Sequence, residues 1–305
     1  MVEVSQVAKN IFLIDNGLYS LKGFGAVYLI NEEKKALIDT GPTTSVGNVL
    51  AGIRQIGVNP GDIDYVIATH IHLDHTGGAG MLIREMPRAQ VFAHYKGARH
   101  LVDPSKLVSS VAEVDGKEAL AKNGEVAPIE TNRVTPVRDG DTLKLSNDQM
   151  LRFMEAPGHA PHELCIYESR NKGVFLGDAV GIYLAQTNLL LPVTPPPSFN
   201  TRSYVETIDK LIRLKATRLY FAHFGAQSQV EGILRRAKDK AQGWEDSAAG
   251  CRDDGRLAGE FTAQRTADLE PAKDTPLYGH LVDINVRLGV AGLMKYYREK
   301  CEANS

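Results

Sequence analysis

The segment Thr69-His-Ile-His-Leu-Asp-His75 carries three histidines and one aspartate within six consecutive positions. It follows a short apolar run that predicts a strand, and it precedes a cluster of glycines. Imidazole nitrogens and carboxylate oxygens are ligands that suit zinc and similar first-row metals. Four such side chains so close together cannot all reach one tetrahedral ion comfortably. The spacing therefore favours two metal ions, one held by His70 and His72 and the other by Asp74 and His75.

Three more candidate ligands lie farther along the chain, each where a predicted strand ends or turns. His159 lies in a turn between two predicted strands, and Asp178 and His223 each follow a short apolar run. Taken singly, each could have an ordinary core or turn role. Three strand ends that each supply a histidine or an aspartate are hard to explain by packing alone, and a rigid sheet can fix such ligands. We expect His162, close to His159, to be held by hydrogen bonds and not to bind metal.

The rest of the chain falls into two successive halves, each with strands first and helices after. The predicted strands or β-rich segments are 10–15, 25–30, 36–39, 65–68, 90–93, 142–153, 164–176 and 218–222. The clearest predicted helices are 45–57, 106–122, 203–214 and 281–297. Residues 189–197 are predicted as a proline-rich loop and 245–260 as a polar loop. Two such halves indicate an α/β fold in which two sheets pack together with helices outside, an αββα four-layer sandwich.

With these motifs in this order, and with Asp39 in Leu37-Ile-Asp-Thr-Gly41, residues 10–225 resemble the metallo-β-lactamase fold superfamily. The metal ligands that the resemblance implies are His70, His72 and His159 for one ion, Asp74, His75 and His223 for the other, and Asp178 as a bridge. Asp39 would support the ligands from behind, and Asp74 and Asp178 would be the catalytic carboxylates. The implied cofactors are two divalent metal ions, zinc first, with manganese, cobalt or iron as alternatives. Such a pair shares a hydroxide that attacks the substrate.

Composition and net charge limit the kinds of binding partner and the cellular compartment that we expect. The chain has 305 residues, and its 35 basic and 37 acidic side chains give a net charge of −2. A near-neutral chain offers no electrostatic argument for nucleic acid or for an anionic membrane surface. No apolar run is long enough for a membrane span, and no export signal is evident. Three widely spaced cysteines indicate free thiols, so we expect a cytoplasmic protein whose partner is a small-molecule substrate.

Apolar and aromatic residues near the ligands are the expected substrate contacts. Leu18, Tyr19 and Phe24 could form an apolar lid over the metal ions, and the hydroxyl of Tyr183 could donate to a substrate oxygen. We expect a catalytic domain over residues 1–228 and a helical extension over residues 229–305. The extension either pads the outside of the fold, or it caps the site or forms a homodimer contact.

Departures from known branches of the superfamily guide the choice of reaction. Flavodiiron proteins carry a glutamate where this chain has His72, and acyl homoserine lactonases carry a tyrosine where it has Gly181. The C-terminal basic residues of glyoxalase II enzymes are not recognisable. A hydrolase of small neutral carboxylic esters or lactones is the first expectation. Phosphotriester or phosphodiester hydrolysis at the same site is the second, and an iron-dependent oxidoreductase of the same fold is the third.

Overall fold

The first sheet is built from the amino-terminal half of the chain. The computed structural model describes residues 2–114, 116–248 and 254–303. Seven described strands form this sheet in chain order. They are β1 (Val4–Ala8), β2 (Ile11–Asp15), β3 (Ala26–Ile30), β4 (Lys35–Ile38), β5 (Ile63–Ile67), β6 (Gln90–His94) and β7 (Val134–Val137). β1 to β4 form an antiparallel meander, whereas β4 to β7 are parallel.

The second half supplies a six-stranded sheet and a small hairpin. The remaining described strands are β8 (Thr142–Lys144), β9 (Met150–Glu155), β10 (Leu164–Glu168), β11 (Gly173–Phe175), β12 (Ile182–Leu184), β13 (Leu189–Leu191), β14 (Arg218–Phe221) and β15 (Gly225–Gln227). The second sheet has the order β15-β14-β11-β10-β9-β8, and β12 pairs with β13. β11 and β14 are parallel neighbours, so both strands end at the same edge of the sheet.

Helices cover the outer faces of both sheets. They are α1 (Val46–Gln55), α2 (Leu73–Thr76), α3 (Ala79–Glu85), α4 (Arg99–Val102), α5 (Ser105–Val114), α6 (Lys117–Asn123), α7 (Thr201–Leu214), α8 (Val230–Ala248), α9 (Asp254–Asp268), α10 (Tyr278–Val282) and α11 (Gly289–Ala303). A π-helical stretch, Asp283–Leu288, joins α10 to α11. No described helix is both long enough and apolar enough to cross a membrane.

Alternating side chains on the strands create three layers of core. In β2, Leu13 packs between the sheets, whereas Ile14 packs against the outer helices α1 and α3. In β14, Tyr220 packs between the sheets, whereas Leu219 and Phe221 pack against the outer helices of the second half. This alternation is the period of two that a strand imposes on its side chains. The predicted αββα sandwich is confirmed.

The helical carboxyl-terminal part shares the outer core of the second sheet. Trp244 of α8 and Phe261 of α9 belong to the same buried cluster as Leu219 and Phe221 of β14. A further cluster joins Leu281 of α10 to the small β12–β13 hairpin. The helices after β15 therefore pack directly on the strands that lead to the candidate site.

Two predicted loops differ from the structure. Leu189–Leu191 forms β13 and only the residues after it are loop, because the prolines that exclude a strand begin at Pro192. The predicted polar loop over 245–260 is wrong at both ends, since α8 continues to Ala248 and α9 begins at Asp254. The middle of that predicted loop, residues 249–253, lies outside the described residues.

Candidate metal centre

The turn after β5 and the short helix that follows it carry the four clustered candidate ligands. His70 and His72 lie in this turn, and His72 has an extended backbone, with φ −63° and ψ 150°. Asp74 and His75 follow within the short helix α2. The two pairs stay close together, since the ring centroids of His70 and His75 lie 4.0 Å apart, and these two rings with Asp178 form a further set of atoms that could hold an ion.

The second sheet brings the other three predicted ligands to the same place. Asp178 follows β11 and His223 follows β14, so the parallel pairing of these strands puts both side chains at one edge. His159 lies in the turn between β9 and β10, whose antiparallel pairing also opens at this edge. Both sheets therefore contribute ligands to one buried cluster.

The first group of ligand atoms consists of three ring nitrogens. His70 Nε2 lies 3.0 Å from His72 Nδ1, and His159 Nε2 lies 2.9 Å from the same atom. Three nitrogens this close can act together as ligands of one ion. The structure thus assembles the trio that the sequence predicted for the first metal.

The second group combines a carboxylate with two imidazoles. Asp74 Oδ2 lies 3.6 Å from His75 Nε2 and 3.5 Å from His223 Nε2. The two ring nitrogens are 3.3 Å apart. These three atoms form a second set that could hold an ion.

Asp178 lies between the two groups, with one oxygen directed toward each. Its Oδ1 lies 3.5 Å from His75 Nε2 and 3.6 Å from His223 Nε2. Its Oδ2 lies 3.6 Å from His159 Nε2. The buried Oδ1 has no hydrogen-bond partner among the described residues. This is the arrangement expected of a carboxylate that bridges two metal ions.

In His159 and His223, the ring nitrogen that faces away from the cluster (the outer nitrogen) indicates the protonation state of the nitrogen that faces the cluster (the inner nitrogen). His159 Nδ1 lies 3.0 Å from the carbonyl oxygen of Val193, and His223 Nδ1 lies 3.1 Å from that of Phe24. A carbonyl can only accept, so each outer nitrogen must donate its proton, and in the neutral ring the inner nitrogen then keeps a lone pair that can bind metal. The inner nitrogen of His159 lies 2.9 Å from His72 Nδ1, and that of His223 lies 3.3 Å from His75 Nε2, so each pair is close enough to bind one cation together. The donor set therefore fits a metal centre.

The pKa values of the candidate ligands shift in opposite directions in the two groups. Burial, reinforced by neighbouring histidines, lowers the pKa of His70 well below its usual value and that of His72 to about 3. These rings are neutral at physiological pH, which is the form that binds metal. Burial also opposes a charge on His75, but the carboxylates of Asp74 and Asp178 outweigh it and raise the pKa of this ring.

Two buried carboxylates contact candidate ligand histidines at the ring nitrogens that face away from the cluster. Asp39, predicted for this role, accepts hydrogen bonds from the Thr69 backbone N–H at 2.8 Å and from the Thr69 hydroxyl. Its Oδ2 also lies 3.1 Å from His75 Nδ1. The sequence analysis did not single out Glu163, whose Oε2 lies 3.3 Å from His70 Nδ1. The available signal was an acidic residue directly before the apolar strand β10.

The four predicted substrate contacts occupy different surroundings. Phe24 is fully buried, with its ring 5.0 Å from the ring of His223. Tyr19 lines an open groove of about 1540 Å³, whose lining includes His280 but none of the predicted ligands. Leu18 is fully buried with the carboxyl-terminal helices, and the Tyr183 hydroxyl donates to Asn188 Oδ1 at 2.9 Å.

Two further histidines adjoin the cluster. The His162 ring stacks over that of His70 with centroids 6.2 Å apart, and its buried Nδ1 has no hydrogen-bond partner among the described residues. His280 of α10 packs edge-on against Phe24 and Tyr19, with centroids 5.0 Å away in each case. The sequence did not point to His280, because its helix follows the last predicted ligand by a long stretch of chain.

Solved structures of other proteins share this fold. The structure of ST1585 from Sulfolobus tokodaii matches with a TM-score of 0.71 at 21% identity, over 93% of this chain and 98% of that one. The structure of TTHA1429 from Thermus thermophilus matches with a TM-score of 0.68 at 21% identity, over 96% and 95% of the two chains. At such identities these likenesses show the fold alone.

Sequence comparisons give the family. ST1585 of Sulfurisphaera tokodaii is 28% identical over 66% of this chain and 73% of its own length. The flavo-diiron protein FprA2 of Clostridium acetobutylicum is 27% identical over 60% of this chain but only 40% of its own length. The family model described as the metallo-beta-lactamase superfamily matches residues 21–223, which include every predicted ligand. The chain belongs to the metallo-β-lactamase superfamily.

Proposed function

We propose that this protein is a dinuclear metal-dependent hydrolase that cleaves small neutral carboxylic esters or lactones. The observation that carries the proposal is the position of Asp178, whose two oxygens lie toward two separate groups of ligand atoms. Structural zinc sites are closed by four ligands around one ion. Seven donors shared between two ions leave positions for water and substrate, which is the arrangement that catalysis needs.

The carboxylates have distinct roles in this proposal. When bound, two divalent ions supply a water activated near neutral pH and polarise a substrate oxygen. Asp178 would hold the two ligand groups at a fixed separation, because it is buried and touches both. The side chain of Asp74 is 25% exposed, more than that of Asp178 or His223. Asp74 would therefore be the carboxylate that accepts a hydrogen bond from the attacking water.

The surroundings of the cluster favour a neutral substrate with an apolar part. The ring of Phe24 contacts a ligand ring directly, and Tyr19 lines the neighbouring groove. That groove carries both basic residues, such as Lys22 and Lys122, and acidic residues, such as Glu118. Mixed charges do not select a strongly anionic or cationic substrate. We propose Tyr19 as a substrate contact, whereas Phe24, which is fully buried, packs behind the His223 ring. Phosphotriester or phosphodiester hydrolysis at the same site remains the nearest alternative.

A second function has its own supporting observation. The similarity to the flavo-diiron protein FprA2 favours an iron-dependent oxidoreductase. Against it, His72 contributes a ring nitrogen to the first group, so that group is built from imidazoles alone. Neutral nitrogen ligands suit zinc as well as iron. The two functions therefore differ in the metal and in the reaction that it supports.

Elemental analysis and a substrate panel test the proposal together. The panel contains an aryl acetate, γ- and δ-lactones, paraoxon and bis-p-nitrophenyl phosphate. We expect about two zinc or similar ions per chain and turnover of the carboxylic esters or lactones. Preference for paraoxon or for the phosphodiester would move the assignment to the phosphoric ester alternative. Iron with visible absorption and no hydrolysis would overturn the proposal in favour of the oxidoreductase.

A further inference from the structure

Arg265 of α9 is a fully buried arginine whose hydrogen-bond partners among the described residues are all neutral. Its side chain has no exposed surface, and Asp268 on the same helix pairs with Lys240 instead. Its guanidinium donates to the Pro192 carbonyl at 2.8 Å and to Thr194 Oγ1 at 2.7 Å. Burying a charge without a carboxylate is costly, so a side chain of this kind calls for an explanation.

The residue between these two partners supports a candidate metal ligand. Pro192 and Thr194 flank Val193, and the Val193 carbonyl accepts the Nδ1 proton of His159 at 3.0 Å. The guanidinium therefore forms hydrogen bonds to the loop on both sides of the Val193 carbonyl, which orients the His159 ring. A planar fork with several donors is suited to fixing two acceptors at once.

The guanidinium is itself held in place by the carboxyl-terminal helices. It donates to Asn285 Oδ1 at 2.6 Å, and Asn285 Nδ2 donates back to the Arg265 carbonyl at 2.9 Å. The ring of Trp244 lies 4.5 Å from its central carbon. These contacts leave the side chain little freedom to move.

The loop at residues 192–194 also packs closely against α11. Thr194 Oγ1 donates to the Gly289 carbonyl at 2.9 Å. A Cβ atom at Gly292 would lie 2.0 Å from the Thr194 carbonyl oxygen, so only glycine permits this approach. The loop at residues 192–194 is thus fixed by side-chain and backbone contacts from two helices beyond the last candidate ligand.

We propose that Arg265 is a positioning residue for the metal centre. It holds the Val193 carbonyl where that group fixes the tautomer and direction of His159, so that Nε2 faces His70 and His72. This inference rests on the proposed metal centre, and it gives the carboxyl-terminal helices a role in the site without direct contact to metal. Partners behind metal-binding histidines commonly change metal affinity by about 10- to 100-fold when removed.

Three variants test the proposal. Arg265→Met removes the donors but keeps an unbranched side chain of similar length. Thr194→Val is milder, because it keeps the branched shape and removes only the hydroxyl, so it serves if Arg265→Met does not fold. Leu257→Ala is the matched control, because Leu257 is a buried residue of the same helix that packs in the outer core.

The first readout is metal affinity, measured by competition between the protein and a chelator for zinc. For both Arg265→Met and Thr194→Val we expect the affinity for one of two ions to fall by about 10- to 100-fold, with the other unchanged. Leu257→Ala should lower thermal stability and leave both affinities at the wild-type value. Wild-type affinities for both ions in Arg265→Met and Thr194→Val would overturn the proposal.

The second readout needs no bound metal. Nitrogen-15 NMR of the metal-free protein reports which His159 nitrogen carries the proton and how fast that proton exchanges. We expect an Nδ1 proton in the wild type that exchanges at least about 10-fold faster in Arg265→Met and Thr194→Val, but not in Leu257→Ala. Unchanged exchange would overturn the role of Arg265 even if the metal centre is real. A wild type that binds no zinc would instead overturn the proposed function.

Discussion

Asp178 contacts both groups of candidate ligand atoms. Replacing it with asparagine keeps the shape of the side chain but removes the negative charge that faces His75 and His159. We expect Asp178→Asn to bind fewer than two ions per chain. Its kcat/KM for the preferred ester should fall by at least about 100-fold, the upper end of what loss of a supporting residue costs. Elemental analysis after dialysis and steady-state kinetics measure the two effects.

His162 offers the matched control for this substitution. Its ring packs against His70 and His72, but it belongs to none of the three groups of converging candidate ligand atoms. We expect His162→Ala to retain both ions, with kcat/KM within a few-fold of the wild type. Loss of an ion from His162→Ala would show that this histidine is a ligand and that the two groups are wrongly defined.

The opposite pKa shifts of the histidines predict an order of metal loss. Burial lowers the pKa of His70, whereas carboxylate charges raise the pKa of His75 and of His223 despite burial. A ring with a raised pKa holds its proton to higher pH, and it must release that proton before it can bind metal. As pH falls through the raised pKa values, the ion at His75 and His223 should therefore dissociate first. Dialysis from about pH 8 to about pH 5.5 brackets the usual histidine pKa, and metal analysis at each step gives the order. Simultaneous loss of both ions would contradict this prediction.

At the scale of secondary-structure elements, the tight turn from β11 to Asp178 requires glycine at position 177. Gly177 has φ +53°, and a Cβ atom there would lie 2.3 Å from Glu163 Oε1 and 2.7 Å from the Thr69 side chain. We expect Gly177→Ala to lower the free energy of unfolding by the cost of backbone strain and by about 1–3 kcal/mol more for the steric clash. The clash should also displace Glu163 from His70 and weaken metal binding. Thermal denaturation and zinc competition measure both effects.

Gly140→Ala is the control that distinguishes the cost of backbone strain from the cost of the steric clash. Gly140 has φ +87°, but a Cβ atom there would meet nothing within 4 Å. Gly140→Ala should therefore show only the backbone penalty of about 1 kcal/mol. An equal loss of stability in both variants would mean that the turn absorbs the added methyl group and that Glu163 does not depend on it.

The elements that the sequence predicted are those with a local signal. An apolar run that ends in a histidine or aspartate, as at Asp178 and His223, marks a strand and its ligand together. Glu163 and Arg265 have no such signal, because their roles depend on partners that only the packing of distant segments brings close. The first part of helix α9, predicted as loop up to residue 260, was missed for a related reason. Its polar sequence is helical because Leu257 and Phe261 are buried against other elements, and tertiary packing provides most helical stability in proteins.

At the scale of the whole molecule, the helices after residue 228 and the second sheet share one core. Trp244 and Phe261 are buried with Phe221, two residues before the candidate ligand His223. Separating the two parts would expose this apolar cluster and free the loop that orients His159. Folding of residues 1–228 and of 229–305 should therefore be coupled, although the division gives a useful description of the chain.

Calorimetry of the full metal-free chain tests this coupling. Because neither part can bury its apolar surface alone, we expect a single unfolding transition whose calorimetric and van't Hoff enthalpies agree. Zinc should move that transition as a whole, since a ligand at 100 times its Kd adds about 2.7 kcal/mol to the stability of the state that binds it. Two transitions, of which zinc moves only one, would instead establish the carboxyl-terminal helices as an independent domain. Leu257→Ala should lower the temperature of the single transition without dividing it, because Leu257 lies in the shared core.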